Sequence, residues 1–262
     1  MNNLRGVYTI WYRDLLRFWH DKMRLVSAMT FPLLFLVVFG SGLSARMGFL
    51  GEGVDFTRFI FPGIIGMTVL MSSFMAGVSV VWDREFGFLK EVLVAPISRA
   101  SVAIGKTLGA ATIALLQGMV ILLFAPLIGL SISIWTLLAL LPLMFLLAAA
   151  MGSMGILLAT RIRTMEAFQG VMQMLMFPMV FLSGVFFPVE GLPSWMSVLV
   201  KLNPATYGID PIRQVVLGMP TDSALRLTLL GHTMTIWDEI GLLLVFGTIM
   251  TILAIWSFAN QE

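Results

Sequence analysis

Of the 262 residues, 59% are hydrophobic and 11% charged, with a mean hydropathy of +0.97, where a soluble globular domain has about 45–50% and 25%. Such a chain cannot clothe a water-facing surface and reads as an integral membrane protein. Lys and Arg number 16 against 14 Asp and Glu, a net charge of +2 and too even a balance for a nucleic-acid footprint; the absence of cysteine excludes disulfides, thiolate metal sites and cysteine nucleophiles.

The first segment, 1–24, places Leu4, Val7, Tyr8, Trp11, Leu15 and Phe18 within one helical arc, with Arg5, Arg13, Arg17 and Arg24 mostly opposite. It is expected to be an amphipathic helix lying along the membrane interface. A span needs about 20 mostly apolar residues, so the gaps between charges count the spans that follow. Arg24 to Arg46 encloses 21 uncharged residues, Arg58 to Asp83 encloses 24, Glu166 to Glu190 encloses 23 and Glu239 to Glu262 encloses 22. Lys106 to Arg161 encloses 54, which fits a hairpin of two helices turning near 125–135, where Pro126, Gly129, Ser131 and Ser133 act as breakers.

Six spans result, at 25–44, 59–82, 107–127, 136–159, 167–187 and 239–258. By these boundaries no ionisable side chain lies inside a span. Pro32, Pro62, Pro142 and Pro178 do lie inside, where kinks are the plain reading. A cleaved signal peptide is the rival reading of the first span, but its charged region would be 24 residues long and its apolar stretch exceeds an ordinary signal core. The six spans divide Lys and Arg into 11 on the side of both termini and 5 on the other, which predicts cytosolic termini.

Two connections are informative. Segment 82–106 is the densest charge cluster, and Phe86, Leu89 and Leu93 recur there at helical spacing before Pro96 ends the pattern. A connecting loop needs only a few residues, so this helix reads as built for a cytosolic partner, the alternative being a helix resting on the bilayer. Segment 188–238 carries apolar stretches of 8 to 13 residues between prolines and Gly218, lengths that suit re-entrant or interfacial pieces and a packed outer cap.

Residues 100–107, ASVAIGKT, satisfy a relaxed phosphate-loop pattern. The bulky Val102 and Ile104 and the lack of a preceding strand exclude the mechanism. No HExxH or GxSxG occurs, and neither His20 nor His232 has a partner nearby in sequence, so no catalytic residue and no metal ligand is assigned. Ser72, Ser73, Gln117, Gln169 and Gln173 are polar groups inside spans. Met71, Met75, Met172, Met176 and Phe177 lie near them. Methionine-rich surfaces adapt to varied apolar ligands, which suits an amphipathic substrate path along spans two and five formed by Met71, Ser72, Ser73, Met75, Met172, Gln173, Met176 and Phe177; ordinary helix packing is the competing reading of each residue.

The stretch WDREFGFLKEVLVAPISR after span two, with FLSGVFFPVEGLPSW and LNPATYGIDPIRQVVLG between spans five and six, resembles the membrane subunits of type-2 ATP-binding-cassette exporters. The daunorubicin-resistance and nodulation lipo-oligosaccharide export permeases are the most similar groups, and the resemblance covers essentially the whole chain. It implies that Asp83, Arg84, Glu85, Phe86, Gly87, Phe88, Leu89, Lys90 and Glu91 form a coupling helix that docks on a separate ATPase subunit. It further implies a smaller contact at 161–166, pairing with a second permease copy or close paralogue, and a re-entrant cap at 188–238. ATP and Mg would be held by the partner and no cofactor by this chain.

The expected architecture is thus an all-α integral membrane protein, a single permease domain over 1–262. It divides into an interfacial helix (1–24), spans one to five (25–187), the outer segment (188–238) and span six with its tail (239–262). The expected function is export of an amphipathic or hydrophobic substrate, a drug, lipid or lipo-oligosaccharide, from the cytosol or inner leaflet of the cell membrane by alternating access. Ion-coupled carriers place ionisable groups inside spans and no soluble domain is present to hydrolyse ATP, so a partner ATPase fits both observations. The alternative is a self-contained channel or secondary carrier.

Overall fold

Backbone out of contact with water must satisfy its own N–H and C=O groups, and helix does so within a single segment. The computed structural model describes residues 3–44, 56–86, 98–189, 191–218, 227–229 and 232–259. Helix α1 (Asn3–His20) gives way at Asp21 to α2 (Lys22–Ser44). α3 (Phe56–Phe74) and α4 (Ala76–Glu85) form one 30-residue apolar rod interrupted at Met75, where Val78 N bonds the Met75 carbonyl at 3.1 Å, three residues back rather than four.

α5 (Arg99–Leu122) starts where the Ser98 hydroxyl accepts from Ser101 N at 3.1 Å. After α5, a 3-10 turn (Ala125–Ile128) and Gly129, with φ of 70°, reverse the chain. α6 (Ile134–Arg161) is capped by Ser133 and α7 (Met165–Phe181) by Thr164. Two short helices, α8 (Ser194–Leu202) and α9 (Thr206–Leu217), precede a minimal antiparallel pair, β1 (Thr228–Leu229) and β2 (His232–Thr233), in which Thr228 faces Thr233. α10 (Ile236–Ala259) closes the bundle.

Each expected span overlaps a helix, although α5 ends at Leu122 and α7 at Phe181, short of the expected 127 and 187. Among the described residues four helical rods are long and apolar enough to cross a membrane: α3–α4, α5, α6 and α10. α7 is 17 residues long, and the apolar part of α2 is Met29–Val38.

The helices run past the limits that the charge-free stretches set for the spans. α4 runs through Asp83 and Arg84, α5 through Lys106, and α10 through Glu239. Asp83, Lys106 and Glu239 are 6%, 2% and 0% exposed. Counting charge-free gaps ends a helix at its first charge, whereas a charge stays in a helix wherever a neighbour pairs with it.

α6 lies at the centre, packed against α3, α4, α5, α9 and α10, and Leu140, Met144, Leu147 and Met151 join Phe61, Ile64 and Ile65 in the main core. Small residues let the backbones meet. A Cβ on Gly155 of α6 would stand 2.6 Å from the Phe74 carbonyl oxygen.

α1 forms as expected; Ile10, Asp14 and Trp11 meet α5, and Gly6, Ile10 and Phe18 are its buried residues. Leu4 and Tyr8 of the apolar arc stay exposed. The turn between α8 and α9 is fastened by Tyr207 OH to the Lys201 carbonyl at 2.5 Å and is tied to α7 by Asn203 Nδ2 to the Met179 carbonyl at 2.7 Å. α9 inserts among α3, α6 and α10, seating Ile209 on Gly66 and Gly208 on Leu147.

Candidate functional site

Where α1 crosses α4 and α5, a set of charges is taken out of water together. Lys106 Nζ sits 2.6 Å from Asp83 Oδ2, donates to Ser79 Oγ at 2.9 Å and lies 3.9 Å from Asp14 Oδ2. Arg13 Nη2 reaches Asp83 at 3.2 Å and Asp14 at 3.1 Å, and Arg17 Nη1 stands 3.9 Å from Asp83. Gly105 and Gly109 of α5 make room for this crossing: a Cβ on Gly105 would meet Ile10, and one on Gly109 would lie 3.3 Å from Asp14. Trp11 Nε1 extends the seam, donating to Thr112 Oγ1 at 3.0 Å. Buried charges survive only when paired and hydrogen-bonded, so this network locks α1 onto the rod. The phosphate-loop look-alike lies inside α5 and its lysine is committed to Asp83 and Ser79.

Of the nine residues assigned to partner docking, Asp83 points inward. Arg84 donates to the carbonyls of Ala159, Thr160 and Ile162 at 3.3, 3.1 and 3.0 Å, closing the free carbonyl end of α6. Glu85 and Phe86 are exposed, Phe86 at 75%. They stand beside a surface cavity of about 400 Å³ lined by Arg13, Arg17, Trp82, Asp83 and Phe86. Gly87, Phe88, Leu89, Lys90 and Glu91 lie outside the described residues. At the smaller contact, Arg161 lies over the Trp256 ring at 5.6 Å.

Two cavities lie deeper. One of about 300 Å³ is lined by Asp14, Arg17, Ser79, Trp82 and Lys106 and extends to Ser72 and Met75. The other, of about 350 Å³, shares Ser72 and Met75 and continues between α2, α3, α5 and α7. It gathers Met71, Met172, Gln173, Met176 and Phe177, so seven of the eight residues assigned to a substrate path line one space. The eighth, Ser73, is fully buried and donates to the Leu70 carbonyl at 3.0 Å. Ser27, Phe31, Pro32, Thr68 and Gln117 complete the described wall. Ring contacts join α2 to α7 at one edge: Phe31 to Phe35 at 5.8 Å, Phe35 to Phe186 at 4.9 Å, Phe186 to Phe181 and Phe181 to Phe177 at 5.0 Å each.

The opposite end of the bundle carries a second buried polar cluster. Gln214 Nε2 bridges Asp210 Oδ2 at 2.8 Å and Glu239 Oε2 at 3.2 Å, and Arg213 Nη1 lies 3.7 Å from Asp210 Oδ1. Arg213 also donates to the Gly184 carbonyl and covers the Phe59 ring at 4.3 Å. Burial pulls its guanidinium below the ordinary value while Asp210 and Glu239 push it back up. The cluster ties α9 to α10 and to the turn after α7.

Sequence reasoning left Lys106 and Asp83 unconnected because 23 residues separate them and only tertiary packing unites them. Gln117 stood out as a polar residue in a span, yet nothing in its own helix tied it to the methionines of α3 and α7. Among the described residues, no three His, Cys, Asp or Glu converge as a metal site.

Comparison with known proteins gives one family. The model of the ABC-2 type transporter membrane domain matches residues 5–217. The chain is 32% identical over 193 residues to the transport permease ycf38 of Cyanophora paradoxa, a match covering 72% of this chain and 66% of that protein, just under two thirds of its length. It is 28% identical over 192 residues to nodulation protein J of Rhizobium leguminosarum bv. viciae, covering 72% and 73%. To the inner membrane transport permease YadH of Escherichia coli K12 it is 27% identical over 217 residues, covering 80% and 82%.

Proposed function

The chain belongs to the ABC-2 type transporter family, and on that premise we propose that it is the non-catalytic membrane subunit of an ATP-driven exporter of amphipathic or hydrophobic molecules. The observation that carries the substrate class is the meeting of two cavities at Ser72 and Met75, one edged by Asp14, Arg17 and Lys106, the other walled by methionine and phenylalanine. A molecule with a polar head and an apolar body is the one that matches both. ATP and Mg sit on a separate ATPase that grips the segment 83–91, and the exposed Phe86 beside the Arg13–Trp82 cavity offers it an anchor. A second permease, an identical copy or a close paralogue, completes the assembly. The partners alternate access between the two sides of the inner membrane.

Six spans with both termini in the cytosol follow if α2 and α7 cross alongside the four longer rods, an orientation supported by the 11-to-5 division of Lys and Arg. The inserted α8–α9 hairpin then serves as a re-entrant outer cap.

Reconstitution tests this reading. The chain, purified with its bound ATPase and placed in liposomes, should move a fluorescent dodecyl amphiphile only with ATP and Mg. Ser72→Trp, which fills the junction of the cavities, should stop movement while assembly persists. Movement by the chain alone, or movement indifferent to ATP, would favour a self-contained carrier and sink the proposal.

A further inference from the structure

Gln117 lies in the last third of α5 and lines the methionine-rich cavity, where it is 4% exposed. Its carbonyl oxygen Oε1 is buried and meets no hydrogen-bond donor. The same wall also carries the polar side chains of Ser27, Ser72, Gln173 and Thr68, the last already engaged, its hydroxyl donating to the Ile64 carbonyl at 2.8 Å. A buried acceptor without a donor is a standing penalty that an apolar residue of the same shape would remove. The methionines around it, Met71, Met75, Met172 and Met176, are apolar and adaptable, and among the described lining residues none is charged.

From this we infer that Gln117 is a specificity-determining residue, and that the cavity takes an uncharged hydrogen-bond donor, a hydroxyl or amide N–H, carried on an aliphatic body. The donor completes Oε1, and the body packs on the methionines and Phe177. None of the described lining residues carries a charge that would pair with an ionised group. A plain hydrocarbon fits the walls but leaves Oε1 unsatisfied. The site thereby prefers a hydroxylated or amide-bearing chain over its donor-free counterpart, since a polar group built to be paired discriminates against the analogue that cannot pair it. This narrows the substrate class and rests on the proposed export path.

Two photoreactive probes of equal length separate the possibilities: a diazirine-bearing dodecanol and its O-methyl ether, which keeps the oxygen but lacks the donor. With the full-length chain in nanodiscs, peptide mapping after illumination should find the segment containing Met172 and Met176 labelled about fivefold more by the alcohol than by the ether, the worth of one ordinary hydrogen bond. Gln117→Leu and Gln117→Met should bring the alcohol down to the level of the ether while the thermal midpoint of the protein stays level or rises. Equal labelling by both probes in the wild type, or an alcohol preference that survives in either folded variant, overturns the assignment of Gln117. The measurement needs no ATPase and no transport, so it stands apart from the exporter reading: lost discrimination with intact transport removes only the role of Gln117, whereas no cavity labelling by either probe removes the cavity from the path.

Discussion

The ammonium of Lys106 and the carboxylate of Asp83 lie 2.6 Å apart with side chains 1% and 7% exposed. Removing one partner of such a pair strands a buried charge and costs about 3–5 kcal/mol, whereas replacing both with apolar residues is often neutral. Asp83→Leu, which leaves Lys106 with Ser79 and a more distant Asp14, should lower the thermal midpoint in detergent strongly; Lys106→Met, which leaves Asp83 facing Arg13, should cost less, and the double variant should recover much of the Asp83→Leu loss. Nucleotide binding by the assembled complex should be unchanged in Lys106→Met, as Lys106 has its partners within the bundle. If the double variant is as unstable as the sum of the singles, the pair is not the lock described above.

Phe86 should matter more than its charged neighbour. A buried apolar anchor at an interface costs more than about 1–2 kcal/mol when truncated, while a rim charge costs little. Phe86→Ala and Leu89→Ala are expected to weaken copurification of the ATPase and abolish export with normal membrane insertion, and Glu85→Ala should have a mild effect. Full assembly and export in both apolar variants would reduce the segment to a passive part of the surface.

Orientation can be read directly because the chain contains no cysteine. Single cysteines at Ser98, Thr164 and Ser194 offer a clean comparison. A membrane-impermeant thiol reagent added to intact cells should label Ser194→Cys alone. External labelling of Ser98→Cys reverses the topology.

Phe186 is the keystone of the ring series between α2 and α7, touching Phe35 at 4.9 Å and Phe181 at 5.0 Å. Each aromatic pair contributes about 0.5–1.5 kcal/mol beyond its buried area. Phe186→Ala should loosen α2 from α7, seen as a broadened distance distribution between spin labels at the exposed Val37 and Met174. An unchanged distribution would mean that other contacts hold the two helices.

The parts of this molecule legible in its sequence are those governed by local pattern. Charge-free stretches located six helices, and Ser133 and Gly129 marked the reversal between α5 and α6. The substrate-path residues could be grouped because Met71 and Met75, like Met172 and Met176, are four apart and share a helix face. Relations across helices stayed hidden. The pairing of Lys106 with Asp83 draws both charges into burial, the bridge from Asp210 through Gln214 to Glu239 spans separate elements, and Gln117 joins the methionines only once α5 lies against α3. The side of α1 that packs was equally invisible, because glycines on another helix, Gly105 and Gly109, select it.

Met75 interrupts the long rod while also lining both cavities. The ten residues of α4 beyond it form an arm of about 15 Å, carrying the Asp83 latch near its tip and Phe86 just past its end. Any body that took hold of Phe86 would therefore pull on the far end of a helix whose near end stands between the charged cavity and the apolar one.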